Sequence, residues 1–254
     1  MKLLQLTTYL DDLLQTATLP DYPDALNGLQ LESQRGTVTK IAAAVDSCLP
    51  VIQQAVARGC DLLLVHHGMF WANGMQPLTG APFQKARTAI ENNLAIYSVH
   101  LPLDGHLEFG NGIVLAQALG LEAAWEPFYP YKNFNIGVRA AVNLSRADLT
   151  TRLSSALGGI KPHLCAGGPE SVSQIGIVTG GAGSEVAAMK AAGIDTFITG
   201  EGPHWSYTLA EELGINVFYG GHYATETFGV KALAAHLHAK FGIPWEFIDH
   251  PSGL

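Results

Sequence analysis

Charge is scarce in this sequence. Of 254 residues, 14% are Asp, Glu, Lys or Arg, and acids outnumber bases 22 to 14, for a formal net charge of −8. No Lys/Arg run is present, so the electrostatic footprint of nonspecific nucleic-acid binding is missing and a nucleic-acid partner is not expected. Cysteine is nearly absent: Cys48, Cys60 and Cys165 have no Cys-x-x-Cys spacing and cannot all pair. They read as small buried apolar residues of a reducing compartment. No Gly-x-Ser-x-Gly elbow or Cys–His signature supports covalent catalysis. No stretch approaches the roughly 18 apolar residues of a membrane span. The opening "MKLLQLTTYLDDLLQ" has one Lys and carries Asp11-Asp12 within its pattern. Leu3, Leu6, Leu10, Leu13 and Leu14 recur at helical spacing, so an amphipathic helix is expected rather than a signal peptide. Cytoplasmic placement is the corresponding expectation.

Apolar residues, at 48%, and 28 glycines are what the chain has in quantity. Together they predict a large core with many tight turns, in one large α/β domain or two lobes. Strand-like and helix-like segments alternate: "KIAAAVD", "LPVIQQAVARG", "DLLLV", "FQKARTAIENN", "LAIYSVH" and "GIVLAQALG". Alternation of this kind predicts crossover connections and mostly parallel sheets covered by helices.

The second half echoes the first. Ile41 to Asp61 and Ile175 to Asp195 each span 20 positions. Counting on from each Asp, Gly68 and Gly202 fall at +7, Trp71 and Trp205 at +10. "YSVHLPLD" and "YGGHYATE" are both Tyr-x-x-His-x-x-x-acid. We therefore expect two similar, duplicated α/β lobes, residues 1–125 and 126–254, with the C-terminal segment packing back on the first. "EPFYPYKNFN" reads as the connector.

Ligands of open α/β sheets gather at the carboxyl ends of strands. His66 and His67 follow one expected strand, His100 ends another and His222 follows a third. A lone His beside a core is ordinarily a packed structural residue, but two in a row invite a ligand. Asp104 and Glu226 lie four residues beyond His100 and His222. On a helix beginning near Tyr223, that spacing puts His222 and Glu226 on one face, whereas Pro102 makes "HLPLD" read as a loop. Imidazoles and carboxylates without thiolate suit Zn, Mn, Fe, Co or Ni. The number of candidates exceeds one tetrahedral site and points to paired ions about 3.5–4 Å apart.

"NGLQLE", "VHHGMFW", "HLPLDGH", "GNGIVLAQALG", "ITGE" and "GGHYATE" together resemble the GTP cyclohydrolase 1 type 2 homologue (Nif-three-like) family, in its short form. The resemblance implies two similar α/β lobes, two divalent metal ions per chain in a centre at the strand ends between them, and a ring-shaped (toroidal) homohexamer. Carried over position by position, it implies metal ligands His66, His67, Asp104, His222 and Glu226. It places His100 beside the metals and makes Glu201 the acid of "TGE", the two candidates for proton transfer.

The expectation is a dinuclear metal-dependent hydrolase acting on a small molecule such as a nucleotide. The alternative is a non-catalytic metal-binding ring protein acting through partners, and a third reading is metal storage or delivery. The glycine-rich turn Val178–Glu185 offers backbone N–H groups to a phosphate, but it lacks the Lys-Ser/Thr of a P-loop and reads more simply as a tight turn. His204, Trp205 and Tyr207 are candidates for a pocket mouth. His236 and His238 read as surface or packing residues, while His106 and His163 fit no pattern.

Overall fold

The structure is a computed structural model that describes residues 1–71 and 77–254. Two compact units emerge from it: Met1–Leu103 with Gly229–His250, and Asp104–Phe228 with Pro251–Leu254.

The first unit opens with α1 (Leu3–Leu14), which buries Leu3, Leu6, Leu10 and Leu14, the 3–4 spacing of a one-faced helix. There follow β1 (Gly28–Leu31), β2 (Ile41–Asp46), α2 (Leu49–Ala57), β3 (Leu62–His67), α3 (Gly80–Glu91) and β4 (Ala95–Ser98). They form a five-stranded sheet in the order β1-β4-β3-β2, then the strand Trp245–Phe247. Only β1 runs antiparallel to its neighbour. Strands β2, β3 and β4 are buried along almost their whole length, which is why they read as unbroken apolar runs. β3 continues through both histidines, two residues further than the apolar pattern suggested.

α4 (Leu101–Asp104) lies at the division between the units. Expected as a loop, it is a single helical turn, because Pro102 sits in the first turn, where a missing N–H costs nothing. α5 (Asn111–Ala118), β5 (Glu126–Tyr131), β6 (Phe134–Ser145), α6 (Arg146–Ala156), β7 (His163–Ala166) and β8 (Ser171–Ile177) follow. Next come a 3₁₀ turn (Ala182–Glu185), α7 (Val186–Ala191), β9 (Thr196–Thr199), α8 (His204–Leu213) and β10 (Asn216–Tyr219). The expected connector "EPFYPYKNFN" is instead the β5–β6 hairpin, with Tyr129 and Lys132 at positive φ.

The second sheet has the order β5-β6-β8-β9-β10-β7. It is mixed rather than mostly parallel: only β8–β9 and β9–β10 pair in parallel, and the hairpin and β7 run against them. The unit's core joins Ile113, Leu115, Leu119, Leu149, Leu153, Ile175, Ile198 and Phe218. α5 therefore belongs to this core, and the units divide at residues 103 and 104, ahead of the expected 125 and 126. α9 (His222–Phe241) starts in the second unit and ends in the first, and β11 (Trp245–Phe247) then joins β2.

The two sheets share a local strand arrangement. Each sheet contains three adjacent parallel strands, β2-β3-β4 and β8-β9-β10, flanked by one antiparallel strand on the last of them. Asp61 accepts hydrogen bonds from Thr39 N and Oγ1, and Asp195 accepts from Ser173 N and Oγ. Both partners lie 22 residues upstream. Among the described residues, no helix is long and apolar enough to cross a membrane.

Candidate metal centre

In the first unit the carboxyl ends of β3 and β4 bring three imidazoles together. His66 is fully buried, His100 is 8% exposed and His67 is half-buried. Their ring centroids lie 4.9 Å (His66–His67), 4.9 Å (His66–His100) and 5.7 Å (His67–His100) apart. One ring nitrogen of each lies within 4.8 Å of the others, so the trio is able to hold a metal ion.

Each ring is oriented through Nδ1. His66 Nδ1 lies 3.0 Å from the Val99 carbonyl oxygen. A carbonyl only accepts, so the neutral ring carries its proton there and its lone pair on Nε2. His67 Nδ1 lies 2.8 Å from Asp46 Oδ1, and His100 Nδ1 lies 2.8 Å from Asp21 Oδ1. Register explains Asp46: it ends β2 directly beside His67. Asp21 is itself held, accepting from Asn27 Nδ2 and Leu101 N, while Asn27 Oδ1 accepts from His100 N. Burial pushes the Asp21 carboxyl up, but the hydrogen bond and charge of His100, with Asn27, win and lower it. Tyr22 and Trp71 lie 5.5 and 5.0 Å from the His100 ring. Gln30 Oε1 accepts from Met69 N and Phe70 N, pinning the chain just beyond the histidine pair. A Cβ at Gly68 would stand 2.3 Å from that Gln30 side chain.

In the second unit His222 begins α9, and its Nε2 lies 3.1 Å from Glu226 Oε2, one turn on. Its Nδ1 lies 2.8 Å from Glu201 Oε1. Glu226 is 4% exposed. The hydrogen bond to Glu226, helped by Glu201, outweighs burial and raises the His222 pKa to about 9. Gly180 explains part of the glycine-rich turn. At φ +65° it packs so close that a Cβ would meet Glu226 Oε1 at 2.2 Å. Its carbonyl accepts from Gly200 N and Glu201 N. The turn thus cradles the His222–Glu226–Glu201 group. Asp104, at the end of α4, accepts from Asn111 Nδ2 at 2.8 Å.

The expected ligands therefore divide between the units, His66 and His67 in the first, Asp104, His222 and Glu226 in the second. His100 stands among the first unit's imidazoles, and Glu201 touches His222 directly. The tyrosines of the repeated pattern stand outside the histidine–carboxylate clusters: Tyr97 donates to Asp11 Oδ1, and Tyr219 shares a hydrogen bond with Ser206. Asp46, Asp21 and Asn27 went unnoticed in the sequence. Asp46 had a signal, an acid closing the apolar run "IAAAVD"; Asp21 and Asn27, in an irregular loop, had none.

The donor chemistry fits a first-row divalent ion. A neutral imidazole whose Nδ1 proton is held by an acceptor is the usual form of metal-binding histidine. No cysteine belongs to either cluster among the described residues, and burial lifts the Cys60 thiol to about 11 and raises that of Cys165.

Fold and site together define a mixed α/β protein with histidine–carboxylate clusters able to hold metal. The chain belongs to the Duf34/NIF3 (NGG1p interacting factor 3) family, whose model it matches over residues 1–252. A Deinococcus radiodurans protein named GTP cyclohydrolase 1 type 2 homolog is 38% identical over 255 residues, covering 98% of this chain and 94% of that one. An Archaeoglobus fulgidus protein of the same name is 36% identical, with both chains fully covered. The crystal structure of a Thermus thermophilus protein, 39% identical, covers both chains fully with a TM-score of 0.90.

Proposed function

We propose that the protein is a dinuclear metal-dependent hydrolase of small molecules. The observation that carries this reading is the anchoring of four histidines through Nδ1, by Val99, Asp46, Asp21 and Glu201. Such anchoring fixes both tautomer and ring direction and raises the basicity of the other nitrogen. A core histidine also needs a partner; what sets these apart is that the anchored rings of His66, His67 and His100 bring one ring nitrogen each within 4.8 Å of the others. His66 and His67, through Nε2, would be ligands from the first unit, and Asp104, His222 and Glu226 ligands from the second. When bound, the ions supply Lewis acidity and an activated water at neutral pH.

The residues around them have their own tasks. Asp21 and Asn27 hold the His100 ring by its side chain and backbone, so that Nε2 takes up or returns a proton at a fixed place. Glu201 orients His222 with one carboxylate oxygen, and its exposure, 45% of the side chain, leaves it able to exchange protons with solvent. Descent of the two units from one duplicated ancestor and assembly as a homohexamer belong to the same reading.

Elemental analysis of protein purified without chelator tests it. About two transition-metal ions per chain are expected, with loss of metal and turnover in His67→Ala and Glu226→Ala. His100→Ala should keep metal while losing turnover. Full metal occupancy in the first two variants would overturn the ligand assignment.

A further inference from the structure

A cavity of about 440 Å³ lies within the second unit, at the carboxyl ends of β9 and β10. That is the end of a parallel sheet where ligands bind, and the volume is that of a small-molecule site. His163, Tyr207 and Tyr219 line it. The His163 ring lies 5.4 Å from that of Tyr207 and 6.0 Å from that of Tyr219, tilted by only 34° and 33°. These rings make a continuous aromatic wall, assembled because β7 pairs His163 directly with Tyr219.

The wall is built to be rigid. Ser206 Oγ donates to the Pro203 carbonyl at 2.7 Å, so its 2.8 Å contact with Tyr219 Oη takes the phenol proton. Gly202 permits this packing: a Cβ there would stand 2.7 Å from Ser206 Oγ and 3.1 Å from the Tyr219 ring. Polar lining comes from Glu201, His204 and Ser206, with no Lys or Arg among the described residues. A phosphate would find no fixed cation here, whereas a ligand with N–H donors finds a carboxylate.

We propose that this cavity binds a planar nitrogen heterocycle bearing N–H donors, its face against the His163–Tyr207–Tyr219 wall and its donor edge toward Glu201. Glu201 also holds His222 Nδ1, so an occupant would sit one residue away from a proposed metal ligand. Only the description of this occupant as a substrate rests on the hydrolase reading; its binding does not.

Isothermal titration of the purified full-length protein with guanosine, a ring with adjacent N–H donors, is the test, with metal content measured on the same samples. Saturable binding is expected for guanosine and none for ribose. His163→Ala and Tyr207→Ala, at rim positions with exposed or half-buried side chains, should each weaken binding about tenfold, the loss expected for one stacking face. Their metal content should be unchanged, and Tyr207→Phe should bind like the wild type. Undiminished binding in both alanine variants, or no saturable binding to the wild type, would overturn the proposal. Intact guanosine binding in protein that takes up no metal would support this cavity while refuting the hydrolase reading.

Discussion

Removing Asp46 separates a metal-orienting role from a stabilising one. Its Oδ1 lies 2.8 Å from His67 Nδ1, yet its side chain is 39% exposed. Solvent screening at that exposure limits the pair's contribution to stability to about 0–1 kcal/mol. Orientation is another matter. Loss of the acceptor frees His67 to rotate and to adopt either tautomer, and loss of such a partner typically costs about 10–100-fold in metal affinity, or roughly 1.4–2.8 kcal/mol. Asp46→Ala should therefore bind Zn at least about tenfold more weakly while its Tm barely moves. Asp46→Asn, whose amide oxygen still accepts from Nδ1, should lie between Ala and the wild type. Competition against a chromophoric chelator, run beside thermal melts, measures both. Unchanged affinity in Asp46→Ala, or a loss that follows Tm in proportion, would refute the reasoning.

Two other outcomes are expected. Gly180→Ala places a methyl group 2.2 Å from Glu226 Oε1 at φ +65°. The left-handed backbone alone costs a non-glycine residue about 1–2 kcal/mol, so the melt should fall and bound metal should fall with it; a variant of unchanged Tm and metal content would contradict the packing described. Asp61→Asn tests the acid side of stability. Burial alone would raise this carboxyl, but Thr39 and then Arg35 outweigh it and hold it below its usual 3.8. A lowered folded pKa contributes stability that is complete above the unfolded value and is lost as pH falls through the folded one. The destabilisation in urea melts should thus be full at pH 6 and shrink below about pH 4. A difference independent of pH would dispose of the ionic explanation.

Much of this molecule is written locally. β2, β3 and β4 are unbroken apolar runs because they are buried on both faces, and α1 shows its buried leucines at helical intervals. The pairing of His222 with Glu226 follows from i, i+4 spacing alone, and the strand-end rule located His66, His67 and His100. Other features depend on competition between signals. Pro102 suggested a loop where a first helical turn tolerates it, and the prolines of "EPFYPYKNFN" masked a hairpin.

What the sequence by itself determined is the apolar parallel strands β2, β3 and β4, the amphipathic helix α1 and the chemistry presented at the strand ends, because burial and period are properties of neighbouring residues. Only tertiary structure decided how those imidazoles are held. Asp46 reaches His67 across 21 positions and Asp21 reaches His100 across 79. No local pattern encodes either contact, since sheet register and loop closure bring the partners together. The same holds for the aromatic cavity, where antiparallel pairing sets His163 beside Tyr219 from 56 positions away in the chain.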